Sequence, residues 1–180
     1  RLKLAAAYME QDSYGLAEEQ AEIALRLNPS EAGAFYVIGL SQFKQDNNKE
    51  AIENLTKAID AEGQVAQFYQ DAYVALARAQ EADGDQEAAL ASLDKAIDFG
   101  PENALILYER GQMYERQENF TYAAMDYGWA LSYVPSYQPA RDAFARIQEE
   151  HPDDWEEAVD LLESTASPSD GAPQPEDANQ

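Results

Sequence analysis

Apolar and small residues recur along the chain at spacings of three and four, the period of a helix that buries one face. Between Asn47 and Gly63 they run Ala51, Ile52, Leu55, Ala58 and Ile59. Similar stretches follow one another, and they are in register. Ala17, Ala51, Ala89 and Ala123 stand 34, 38 and 34 residues apart. Ala24, Ala58, Ala96 and Ala130 repeat those steps, as do Pro29, Gly63, Pro101 and Pro135. A fourth column is Ser13, Asn47, Asp85 and Asn119. Short polar side chains of these types accept a backbone N–H at a helix N-terminus, so each predicts the cap of a second helix. Pro and Gly then end that helix, because proline cannot continue the ladder and glycine weakens it. The alanines mark where two antiparallel helices cross closely, since a larger side chain would force the axes apart.

The first helices of the units carry a second signature. Tyr8 follows Leu4-Ala5, Phe35 precedes Ile38-Gly39, Tyr73 precedes Leu76-Ala77, and Leu107 precedes Arg110-Gly111 with Tyr114 beyond. Together with the alanine and proline columns this resembles the tetratricopeptide repeat, W-x2-L-G-x2-Y, then A-x3-F, then P. The resemblance covers about residues 1–136 and implies an all-α fold, a right-handed α-solenoid of about four helical hairpins plus a C-terminal capping helix. Departures stand at Arg110, where the family prefers Leu, and at Gln42 and Gln80, where it prefers Tyr. Ala21 replaces a large apolar residue, which predicts looser packing in the first hairpin. The 38-residue step adds four residues near Val65–Tyr69, read as a first helix longer by a turn with Phe68 and Tyr69 packing locally, or as a displaced loop that touches a partner.

A stack of repeats needs ends that hide its last apolar face. The solenoid with its capping helix is expected over residues 1–148, where Phe144 and Ile147 form the buried side of the cap. Residues 149–163 predict a short acidic helix with Asp153 or Asp154 as its cap and Trp155, Val159 and Leu162 on one face. It either packs over the end of the stack, or it enters a binding groove or docks elsewhere. Residues 164–180, rich in Pro, Ser, Gly and Asp, are expected to lack structure. The chain begins at Arg1, partway through a helical pattern, so upstream sequence is expected, with a bacterial source and a compartment open between cytoplasm and periplasm or envelope.

Charge narrows the function. The chain carries 35 acidic against 12 basic residues, a formal −23. Nucleic acid needs cations to displace counterions from phosphates, so this surface is wrong for it, and anionic membranes repel it. No apolar run reaches bilayer length. Residues 149–180 hold 11 of the acids and no Lys or Arg. Without cysteine there is no thiolate metal site or cysteine nucleophile. The single histidine, His151, lies beside a proline at a helix end and reads as structural. Asp83-Gly84-Asp85 lacks the further ligands of a calcium loop and falls at a hairpin turn. Asn54-Leu-Thr56 and Asn119-Phe-Thr121 match a glycosylation acceptor, but one lies mid-helix and the other at a cap. No cofactor, metal site or enzymatic activity is expected.

The resemblance implies that first helices line a concave surface. Helical spacing puts Tyr36, Leu40, Phe43 and Lys44 on it from the second unit, Val74, Arg78 and Glu81 from the third, and Leu105, Tyr108, Glu109 and Gln112 from the fourth. The expected partner-binding set is Tyr36, Leu40, Phe43, Val74, Arg78, Leu105, Tyr108 and Gln112, with packing between repeats as the other role open to its aromatics. The basic clamp by which some family members hold a chaperone's C-terminal carboxylate is replaced here by Leu2, Ala6, Val37, Asp71 and Ala75. The expectation is a scaffold for a peptide or protein with apolar anchors. Alternatives are a self-associating assembly module or an accessory region of a larger secretion or enzyme system.

Overall fold

Each polar column residue closes one helix and opens the next. In a computed structural model, which describes residues 1–61, 63–165 and 167–168, the residue before each column position turns left-handed: Asp12 at φ 54°, Asp46 at 61°, Gly84 at 93° and Glu118 at 59°. The column residue then donates its backbone N–H back across the turn. Ser13, Asn47, Asp85 and Asn119 reach the carbonyls of Tyr8, Gln42, Gln80 and Tyr114, each at 2.9 Å. This six-to-one bond satisfies a carbonyl that the helix end would otherwise leave open. The capping role expected of the four side chains holds for two. Asp85 accepts from the Ala88 N–H at 3.0 Å and Asn119 from that of Tyr122 at 3.3 Å. Ser13 and Asn47 start their helices with no side-chain cap bond.

The described residues form ten helices: α1 Leu2–Glu10, α2 Tyr14–Leu27, α3 Ala32–Phe43, α4 Asn48–Asp60, α5 Ala66–Asp83, α6 Gln86–Phe99, α7 Ala104–Arg116, α8 Phe120–Tyr133, α9 Gln138–Glu150 and α10 Pro152–Ser164. None of them is long and apolar enough to cross a membrane. The chain divides into two compact units, Arg1–Ser92 and Leu93–Gln180, with the division inside α6.

In the first unit, α3 packs on α4 and α4 on α5. Gly39 permits the first of these crossings, because a Cβ there would lie 2.7 Å from Leu55 Cγ and 3.1 Å from the Ala51 carbonyl oxygen. Ala51, Leu55, Ala75, Leu76 and Ala79 form the core, with Ala21, Ala24, Ala34 and Ile38 a second cluster toward α2. Ala21 is fully buried, and Leu2, Leu25 and Val37 pack against its cluster. The four extra residues lengthen α5 to 18 residues, against 12 in α3. Phe68 lies 5.7 Å from the Tyr36 ring and the Tyr69 hydroxyl donates to the Ala61 carbonyl at 3.2 Å, so the added turn packs locally.

In the second unit, Gly111 of α7 meets the Tyr127 ring of α8, which a Cβ would approach to 2.6 Å. Helix α9 buries Ala140, Ala143 and Ile147, while Phe144 is half-buried. His151 alone joins α9 to α10 and holds the N-cap position, with Pro152 at the first helical position. Asp153 and Asp154 sit in the first turn, where their charge suits the helix dipole, instead of capping it. Of the stretch from 164 expected to lack structure, Ser164 ends α10 and Pro168 is buried. Residues 166 and 169–180 lie outside the described residues, as does residue 62.

Candidate partner-binding surface

The residues expected on the binding surface fall into two groups, one in each unit. In the first unit, Tyr36, Leu40 and Phe43 lie along α3 at helical spacing and are half-buried, packed against the core that α4 and α5 share. Part of their apolar surface therefore holds the hairpins together. On α5, Val74 is half-buried and Arg78 exposed. Burial raises the Tyr36 phenol above its ordinary value, the Asp71 carboxylate adds to this, and Arg78 opposes it. Tyr36 thus presents an uncharged hydroxyl near one acid and one base. Lys44, one residue past α3, stands over the Phe43 ring at 5.8 Å.

In the second unit, Leu105, Tyr108 and Gln112 follow one another at steps of three and four along α7, so they share a face. Leu105 is 49% exposed, and its neighbours on that face are half-buried. The Tyr108 ring stands 5.6 Å from Tyr137 at 89° and 5.5 Å from Tyr127. Gln112 Nε2 donates to the Tyr108 hydroxyl at 3.0 Å. The ring is held on three sides, which limits the side-chain entropy a ligand would have to remove. Tyr137 was absent from the expected set. Its signal was the aromatic three residues before Ala140, just ahead of α9, but a residue in a turn carries no facial period to read.

Both acceptor asparagines have side-chain hydrogen bonds within the fold. Asn54 Nδ2 donates to Gln42 Oε1 at 2.9 Å and to the Glu50 carbonyl at 3.0 Å. Asn119 Oδ1 is the acceptor that caps α8. Among the described residues, no group of three or more His, Asp or Glu side chains is placed to hold a metal ion.

The pattern of the tetratricopeptide repeat matches residues 2–66, 36–104 and 74–131. The chain belongs to the tetratricopeptide repeat family. No curated protein matches it. Among solved structures it is similar to MamA, at 20% identity and a TM-score of 0.71 over 88% of this chain and 90% of that one. It is similar to residues 41 to the end of MamA from Desulfovibrio magneticus RS-1, at 24% identity and a TM-score of 0.66 over 76% and 75% of the two chains. It is also similar to PilF of Pseudomonas aeruginosa, at 16% identity and a TM-score of 0.72 over 96% and 75%. At these identities the likeness is one of fold, an all-α solenoid of tetratricopeptide hairpins.

One departure from the tetratricopeptide pattern has a full structural account. Arg110, in the place of a core leucine, is 2% exposed. Its Nε and Nη2 donate to Asp126 Oδ2 and Oδ1 of α8 at 2.8 and 2.6 Å, and its Nη1 donates to Asp94 Oδ1 of α6 at 2.5 Å. Nη2 also donates to the Pro168 carbonyl at 3.1 Å. Burial works against the guanidinium charge, but Asp126 and Asp94 outweigh it and hold its pKa above the ordinary arginine value. Burial likewise pushes the Asp126 carboxyl up, and Arg110 pulls it part of the way back. A signal for this pair was present, because Asp126 is the only charged residue between Phe120 and Val134. A charge facing inward on an apolar helix needs a partner, and Arg110 sits on the neighbouring helix.

Proposed function

We propose that this tetratricopeptide protein works by binding, as a scaffold that holds a peptide or protein on the faces of its first helices. The family fold is that of protein-interaction scaffolds. The observation that carries the finer reading is the α7 face, where an exposed leucine adjoins a tyrosine already fixed by Tyr137 and Gln112. Interface energy concentrates in such pre-set aromatics. Tyr36, Leu40, Phe43, Val74 and Arg78 offer a comparable mixed face in the first unit. An extended or helical peptide with apolar side chains at regular spacing matches both.

The test is a peptide-library selection on the full chain, followed by titration of the selected peptides against variants. Tyr108→Ala and Leu105→Ser are expected to weaken binding about tenfold or more each, the scale of a residue at the centre of an interface. Tyr36→Ala reports on the first unit in the same way. Peptides that bind all three variants as tightly as the parent would remove the assignment of these faces.

A further inference from the structure

Two tyrosines of the second unit meet at a right angle beside a carboxylate. Tyr108 comes from the middle of α7 and Tyr137 from the turn ahead of α9, with ring centroids 5.6 Å apart and planes at 89°. On the core side of Tyr108 lies Tyr127, fully buried, its ring at 5.5 Å and its hydroxyl donating to Glu115 at 2.6 Å. Along α7, Gln112 fixes the Tyr108 hydroxyl. Tyr108 and Tyr137 are both half-buried, so each keeps part of its surface open. Glu109 follows Tyr108 in α7 and is half-buried as well. Its spacing of four from Leu105 and three from Gln112 places it on the same face.

A tyrosine ring is negative over its face, and a cation within about 6 Å of its centroid is attracted to it. Two rings set at right angles form a corner that a cation can meet on two sides, and a carboxylate at the corner supplies the opposite charge. The electrostatics here run one way. The Tyr137 phenol is held above its ordinary value by burial first, then by Tyr108 and by the Glu109 carboxylate. The first unit differs. Tyr36 and Phe68 also form an aromatic pair, at 5.7 Å and 57°, but there the Arg78 guanidinium opposes the Asp71 carboxylate. The arginines of α9 are engaged with other groups, Arg141 donating to the Pro135 carbonyl and Arg146 to Glu115. The chain as a whole adds a field of the same sign, at a formal −23. An acidic side chain brought to this corner meets repulsion from Glu109, and a neutral one gains nothing from its charge.

Building on the reading of α7 as a binding face, we propose that Tyr108, Tyr137 and Glu109 set the charge of the partner. They take a basic side chain, lysine or arginine, from a peptide segment whose apolar anchor lies on Leu105. The apolar contact supplies affinity to many peptides, while the corner decides which of them bind best. Leu105 lies one helical turn, about 5 Å, along α7 from Tyr108 and Glu109. The basic residue therefore stands two places from the anchor in an extended peptide, or one turn away in a helical one.

The test uses the full chain and short random peptides with a fixed leucine anchor, in which the residue two or four places on is Lys, Arg, Gln or Glu. Fluorescence anisotropy reads their affinities. Peptides with Lys or Arg are expected to bind about tenfold more tightly than those with Gln, the gain of a cation held by aromatic rings beside a carboxylate. That preference should fall to about twofold or less in Glu109→Gln and in Tyr137→Leu, and Tyr137→Phe, which keeps the ring, should restore it. Glu149→Gln removes an equal charge from the end of α9 and should leave the preference whole, which separates the corner from the general attraction of an acidic protein. No preference in the parent chain, or a preference that survives either Glu109→Gln or Tyr137→Leu, would overturn the proposal. The scaffold reading fails separately, when Leu105→Ser and Tyr108→Ala leave the binding of every peptide unchanged.

Discussion

Replacing Arg110 by leucine restores the family's residue at that position, and the structure predicts that it will nonetheless destabilise the second unit. The guanidinium makes two hydrogen bonds to Asp126, and both side chains are 2% exposed. Arg110→Leu would leave the Asp126 carboxylate buried with no cation. Breaking one side of such a pair costs about 3–5 kcal/mol. Removing both charges, in Arg110→Leu with Asp126→Leu, should recover most of that loss, because burying the pair in the first place cost each ion its hydration. Asp94 has a side chain 39% exposed, so Asp94→Asn should cost no more than about 1 kcal/mol. Urea unfolding followed by tryptophan fluorescence reads the right region, since Trp129 and Trp155 both lie in this unit. The pH dependence adds an independent check. Without Arg110 to pull it back, burial and the Asp94 carboxylate raise the Asp126 carboxyl further in the folded state than in the parent. A raised carboxyl favours the fold at low pH and loses that advantage as pH rises through its folded value, so the deficit of Arg110→Leu should be smaller near pH 4.5 than at pH 7.5, changing by up to about 1.4 kcal/mol per pH unit. The reasoning fails if Arg110→Leu lies within about 1 kcal/mol of the parent at neutral pH, or if the double variant is no more stable than the single one.

Two further outcomes follow from close packing and burial. Gly39→Ala should destabilise the first unit by about 1–2 kcal/mol, since the crowding at Leu55 exceeds the helix-propensity gain, whereas Gly15→Ala in α2 meets nothing within 4 Å and should stabilise it by about 0.5–1 kcal/mol; urea melts by circular dichroism give the two signs. Burial raises the phenols of Tyr114 and Tyr127, and for Tyr127 the hydrogen bond to Glu115 raises it further. Groups raised in the folded state contribute fully below their unfolded value near 10 and lose that contribution above it, so the second unit should weaken steadily past pH 10, with a shallower decline in Tyr127→Phe.

Most of the hairpin architecture was legible because it is local. A cap, a breaker and a small residue at a crossing each act within one or two turns, so their columns at steps of 34, 38 and 34 survive in a single sequence. The left-handed residue was hidden, because Asp12, Asp46 and Glu118 are not types that demand that conformation, and Gly84 alone advertised it. The added turn of α5 could be counted, but whether it became helix or loop depended on Tyr36 being in reach of Phe68. The α7 face was legible from its period of three and four, and Tyr137 was not, because it joins from a turn about 30 residues away.

By itself, then, the sequence determined the repeat, the helix ends and the residues that can pack closely, all of which rest on short-range sterics and hydrogen bonding. The tertiary structure decided which side chains are shared between hairpins. Arg110 reads as an exposed charge or a core defect until Asp126 and Asp94 arrive from helices 16 residues to either side. Gly128 reads as a helix weakness until Leu162 fills the space it leaves. Both depend on where distant backbone passes, and burial turns that placement into energy: a charge without its partner, or a notch without its leucine, costs little in water and much in the core.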